Sequence, residues 1–256
     1  MLHICRALIT DDKNNIHFES AEVTGTTIKE IIEADKKYGT MTPRNGKYFT
    51  YRVFDWQNKW ITNKQITKGV GIAWEMVEKI ISIKCVEAKE NELPDFKVFF
   101  RRLTDDVLLT ARTLMYHYYP ITDFNHPHRG VCVVNADFPW TSDGEGIPLH
   151  IYDPGHYPNP VTAEAQTFDF DATYQHEAPG HGLGLAHSPN SGKKMSSNYD
   201  KMAESIFDES DNETILRLVA KYPKRVLTGF GKFKNKILDS LLLRWINYFR
   251  HQRDHY

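Results

Sequence analysis

Apolar positions along the chain follow two rhythms. Ile66, Val70, Ala73, Val77 and Ile80 fall at steps of four, three, four and three. That spacing lays one apolar stripe along a helix of about 17 residues. Thr27 and Glu30 have the spacing of a capping box, with Ile28, Ile31 and Ile32 behind them and Gly39 as a stop, which predicts a helix over 28–38. Tyr48–Phe54, Phe96–Phe100 and Gly130–Val134 are rich in β-branched and aromatic residues and read as strands. Pro148–Tyr152 and Gln166–Phe170 are shorter strand candidates. Asp105–Tyr118 reads as an insertion with helical character. Further helices are expected near 173–184 and 211–221. Strands interleaved with helices predict an α/β or α+β layered domain.

From Asn235 to Arg250 the pattern is again helical. Ile237, Leu238, Leu241, Leu242, Trp245 and Phe249 share a face, flanked by lysines and arginines. A basic amphipathic helix of this kind suits a membrane surface or a partner, and the plainer expectation is packing against its own domain. The loop at Met41–Gly46 divides an N-terminal appendage, 1–44, from a main domain over 45–222, leaving 223–256 as the tail.

Composition narrows the classes. Of 256 residues, 41% are hydrophobic and 25% charged, which suits a folded core and argues against wholesale disorder. Lys plus Arg is 32 against 33 for Asp plus Glu, so no nucleic-acid partner is expected for the chain as a whole. No apolar run approaches the roughly 18 residues of a membrane span. The N-terminus has too short an apolar stretch for a signal peptide. Three cysteines, Cys5, Cys85 and Cys132, do not make a disulfide scaffold.

Twelve histidines is a generous count, and they cluster. Residues 175–188 hold three histidines, one glutamate and three glycines. A catalytic zinc takes about three protein ligands and keeps a fourth position open, and histidine nitrogen is a common ligand. A carboxylate beside the metal can take a proton from water. Gly184 can end the helix at positive φ, so that the chain swings His187 round as a third ligand.

Here the sequence resembles the metzincin metalloproteases, and among them the matrixins. His181-x-x-Gly184-x-x-His187 is followed by Ser188, and Met195 stands at the Met-turn distance. More loosely, Tyr48–Phe54 and the helix with Ala73-Trp74 resemble the family's first strand and helix. Pro139–Gly146 resembles its calcium loop, Pro148–Tyr152 its edge strand, Phe168–Asp171 its acidic stretch, and Asp211–Tyr222 its last helix. The resemblance implies a twisted mixed sheet with a long backing helix and an active-site helix. It implies a zinc endopeptidase, with Glu177 as base and Met195 as the floor under the histidines. Extended peptide would pair with Leu149, His150, Ile151 and Tyr152. Asp143, Asp169 and Asp171 are candidate calcium ligands. The family is mostly secreted, whereas this chain shows no export signal.

One departure matters. The family helix carries histidines four apart, and here His176 and His181 are five apart, in His-Glu-Ala-Pro-Gly-His. At about 100° per residue, five steps leave them roughly 140° apart on a regular helix. Either a π-type bulge absorbs one residue, so that His176, His181 and His187 bind zinc with Glu177 as base. Or the helix is regular, Glu177 takes the first ligand position, and Ala178 stands where the base should be. The alternative function follows from the second arrangement: a zinc-binding, catalytically weak or dead relative that binds peptide or protein. A third expectation is an assembly protein docked through the tail helix.

Other metal candidates are weaker. The matrixins' second, structural zinc would fall on Asn135, Asp137, His150 and Thr167, which leaves two ligands, so it is expected to be absent. His126, His128 and His156 read as exposed loop histidines. Cys5 lacks the family's inhibitory motif around it.

Overall fold

The computed structural model describes residues 7–10, 16–19, 27–54, 58, 60–142, 168–190, 193–197 and 211–222. The chain divides into two units, Met1–Lys224 and Arg225–Tyr256, and every described residue lies in the first. The expected edge strand at 148–152, the tail helix, Cys5, Asp143 and His156 lie outside the described residues.

The N-terminal segment opens with an antiparallel pair that periodicity did not reveal, β1 (Ala7–Thr10) and β2 (Ile16–Glu19). Helix α1 (Ile28–Asp35) follows. Its capping box is formed: Glu30 N–H donates to the Thr27 hydroxyl, and the Glu30 carboxylate accepts from Thr27 N–H at 3.0 Å. A 3₁₀ turn, Lys36–Tyr38, ends on Gly39 at φ 63°.

The main sheet has the order β4-β3-β5-β7-β6. Its strands are β3 (Phe49–Phe54), β4 (Cys85–Glu87), β5 (Phe96–Arg101), β6 (Met115–His117) and β7 (Val131–Asn135). β3, β4, β5 and β7 run parallel, and β6 pairs antiparallel with β7, Tyr116 opposite Val133. This is the mixed α/β sheet that the resemblance implied. Gly130 turns the chain into β7 at φ 64°, where a Cβ would stand 1.8 Å from the Asp95 carbonyl, so only glycine fits.

Helix α2 (Asn63–Ile80) backs the sheet, capped by a second box between Thr62 and Gln65. All five residues of the apolar stripe are buried, and Trp74 packs at a tilt against Phe96 of β5, 4.4 Å between ring centres. Each such aliphatic side chain contributes about 1.5–3 kcal/mol by leaving water.

Three expectations are corrected. Asp105–Tyr118 carries no helix. Asp106 accepts from Leu108 N–H, and the Thr110 and Thr113 hydroxyls bond at 2.7 Å. Such local bonds favour turns over helix, and the run Leu114–Tyr118 is wholly buried, its middle forming β6. Within 166–170 the described strand is Phe168–Asp169 alone, β9, pairing with β8 (Trp140–Thr141). The helix expected near 173–184 begins earlier, at Phe170, and is not regular throughout.

Candidate metal centre

Helix α3 (Phe170–Gln175) starts because Asp169 caps it, Oδ1 accepting from Ala172 N–H at 2.8 Å. All six residues are buried, and the Tyr174 hydroxyl accepts from Trp74 Nε1 at 3.1 Å. At His176 the regular bonding stops. Pro179 has no N–H to give, and five residues, His176–Gly180, form a π-type turn. His181 N–H reaches back to the carbonyls of Glu177 and His176, four and five residues behind it. The extra residue is absorbed inside one turn.

A tight turn, His181–Leu183, ends on Gly184 at φ 87°, ψ 28°. That left-handed residue redirects the chain, and a Cβ there would stand 2.7 Å from the Gly39 carbonyl. The chain then brings His187 back over the helix. His176, His181 and His187 each offer a ring nitrogen, and the three lie within 4.8 Å of one another. His181 Nε2 and His187 Nε2 are 3.3 Å apart. Two ligands at zinc–nitrogen distances of about 2.0–2.1 Å on tetrahedral corners stand about 3.3–3.4 Å apart. Among the described residues this is the group that can hold a metal ion, and Glu177 is not in it.

The tautomers also suit a metal. His176 Nδ1 bonds the Lys194 carbonyl at 2.6 Å, and His181 Nδ1 bonds the Leu185 carbonyl at 2.7 Å. A carbonyl only accepts, so each Nδ1 carries the proton and each Nε2 keeps its lone pair for a ligand role. Burial, and then the neighbouring His187, push both rings well below the ordinary histidine pKa. They are therefore neutral at pH 7, as metal ligation requires.

Met195 lies directly under the turn: a Cβ on Gly180 would stand 2.4 Å from its sulfur. Its loop is tied to the third histidine's neighbour, Ser188 N–H donating to the Met195 carbonyl at 2.7 Å. Helix α4 (Asn212–Lys221) anchors the same loop. Its cap, Asp211, accepts from Thr214 N–H and from Lys194 N–H. Asp211 thus holds the residue whose carbonyl orients His176.

Other expected residues are placed as follows. Glu177 is fully buried in the π-type turn, and its charge adds to burial in raising the Cys132 thiol on β7. Asp169 is the helix cap just described. Asp171 accepts from the Ser142 hydroxyl at 2.6 Å and packs on Gly69 of α2. The Asn135 side chain donates to the Thr113 carbonyl, and Asp137 accepts from Leu103 N–H. His128 stacks on Tyr118 at 4.6 Å. Leu149, His150, Ile151 and Tyr152 lie outside the described residues.

Sequence reasoning missed four surrounding groups: Asp35, His117, Arg217 and Lys221. His117 packs on the metal-site turn, 2.7 Å from where a Gly182 Cβ would stand. Its local sequence, buried and aromatic, carries no sign of that contact.

No curated protein matches the chain at a significant level. The family model described as matrixin, a peptidase family, matches residues 43–220, well over half of the chain. On this framework, with three histidines gathered where the last stretch of that match falls, the chain belongs to the matrixin family of metalloproteases.

Proposed function

We propose that this chain is a zinc endopeptidase. The observation that carries the reading is the trio of histidine nitrogens within 4.8 Å, set in a matrixin framework. Zinc held by His176, His181 and His187 would supply a polarised carbonyl and a water acidified to a pKa of about 7. Glu177, next to the first ligand, accepts the proton of the attacking water and returns it to the leaving amine. Peptide binds extended along Leu149–Tyr152, through main-chain hydrogen bonds. Met195 keeps the histidine turn from sinking into the core.

A second reading rests on Glu177 itself. Its carboxylate is fully buried and interacts with Cys132 of the sheet. A glutamate committed to that side would leave a zinc-binding module of low activity.

One experiment separates the two. Wild type and Glu177→Gln are compared for cleavage of unfolded casein, with and without a chelator, and for bound zinc. The protease reading expects chelator-sensitive cleavage, with the Gln variant keeping zinc and losing about 10²–10⁴ in rate. Zinc in both proteins with no cleavage by either sinks it in favour of the binding module. No zinc in either sinks both.

A further inference from the structure

Ala186 immediately precedes the third histidine, and one buried ion pair holds both of its backbone groups. Its N–H donates to Asp35 Oδ1 at 2.8 Å, and its carbonyl accepts from Arg217 Nη2 at 2.6 Å. The pair is a two-point fork, Arg217 Nη2 to Oδ1 at 2.7 Å and Nε to Oδ2 at 2.8 Å. Such charge-assisted forks fix geometry as well as adding energy.

The same loop is gripped along its length. Tyr222 donates to the Leu183 carbonyl at 3.0 Å, and Lys221 Nζ donates to the Gly184 carbonyl at 2.7 Å. The Leu185 carbonyl holds His181. So each carbonyl from 183 to 186 has a named partner, although the loop after Leu183 belongs to no helix or sheet. Buried backbone groups need such partners, and here side chains from α4 and its end supply three of the four. The Ala186 N–H takes its partner from α1.

Asp35 lies outside the residues matched by the family. We propose that Asp35, locked by Arg217, is a positioning residue for His187, which makes α1 part of the metal site rather than a separable leader. The proposal rests on the three histidines holding zinc. Asp35 touches no reacting atom. It acts with Arg217 by fixing Ala186 from both sides, and so the direction in which the chain enters His187, as outer groups around metal ligands do.

The test uses the full chain. Asp35→Leu with Arg217→Met removes the fork; it also strands the Ala186 backbone groups and the Glu213 carboxylate that Arg217 Nη1 holds at 3.1 Å, so some loss of global stability accompanies it. Asp35→Asn keeps an acceptor for Ala186 N–H and loses the charge, which covers failure of the double variant to fold. Glu33→Gln, on the exposed face of α1, is the control. Amide exchange at Ala186 is followed in metal-free protein. Zinc affinity by chelator competition and the visible spectrum of the cobalt(II) form are then measured.

The double variant is expected to exchange Ala186 at least about tenfold faster. Its zinc should bind about 10–100-fold more weakly, with an altered cobalt spectrum, and exchange should quicken more at Ala186 than at the buried amides of α2. Unchanged exchange, affinity and spectrum would overturn the proposal. The exchange result is read without metal. A wild type that takes up no zinc therefore removes the zinc reading, while faster exchange in the variant still shows the pair holding the loop and unchanged exchange still overturns the proposal.

Discussion

His117 has one ring nitrogen on the Tyr118 carbonyl at 2.5 Å, and the other makes no hydrogen bond among the described residues. Burial pushes its pKa down from 6.5 to about 4. The unfolded chain therefore binds a proton that the folded chain refuses. This contribution to stability is fully present above pH 6.5 and is lost as pH falls toward 4. The difference between 6.5 and about 4 is worth about 3 kcal/mol at 1.36 kcal/mol per unit. Urea unfolding of metal-free protein between pH 7 and 4 should show that decline added to the contributions of the buried His176 and His181, and His117→Leu should make it shallower. An equal slope in the variant would show that His117 contributes nothing to it. At this scale the chain was legible where chemistry is local. Thr27 and Glu30 cap a helix, Gly184 turns the chain at positive φ, and His181, His187 and Met195 come close together, because each lies within a turn or two of the next. Asp35 and Arg217 are 182 positions apart, and nothing beside either residue marks the partner.

Among the elements, α2 was readable because burial on one face imposes a period on its sequence. β4 is only three residues long, too short to carry a period. β6 was misread because the polar turns before it resemble a helical pattern, while its identity as a strand comes from pairing with β7. The π-type turn sits between these cases. The five-residue spacing and Pro179 pointed to it, yet the spacing alone also allowed a regular helix with Glu177 as ligand. If the turn exists to absorb one residue, removing that residue should be tolerated. Deleting Pro179 restores a backbone donor and brings the two histidines four apart, the regular-helix spacing for one face. The deletion variant is expected to bind zinc one to one, within about tenfold of the wild-type affinity, as outer-shell changes set the scale. Loss of stoichiometric zinc would show that the turn has another role.

For the described part of the molecule as a whole, no helix is long and apolar enough to cross a membrane. The segment after α1 and the end of α4 meet at the metal loop. Met41 N–H donates to the Tyr222 hydroxyl at 2.9 Å, and Tyr38 stacks on Tyr119, whose ring stands edge-on to His181 at 5.3 Å. Zinc binding should therefore act on the global transition and not only on one loop. At a hundredfold excess over its dissociation constant a ligand adds about 2.7 kcal/mol. For a unit of this size that is a rise of about 5–10 °C in melting temperature. Calorimetry with zinc and then with a chelator measures it, and coincident transitions would mean that the histidines do not take up the ion.

The turn at His176–Gly180 also bears on how such sites are found. A motif written in letters and gaps counts residues, whereas an ion responds to where three lone pairs point. Any rule that fixes two letters between Glu177 and the second histidine passes over this chain. A rule asking for three imidazole nitrogens inside a small sphere finds it at once. The alphabetic signature is a shorthand for an angle, and one turn of unusual winding is enough to separate the shorthand from the thing it stands for.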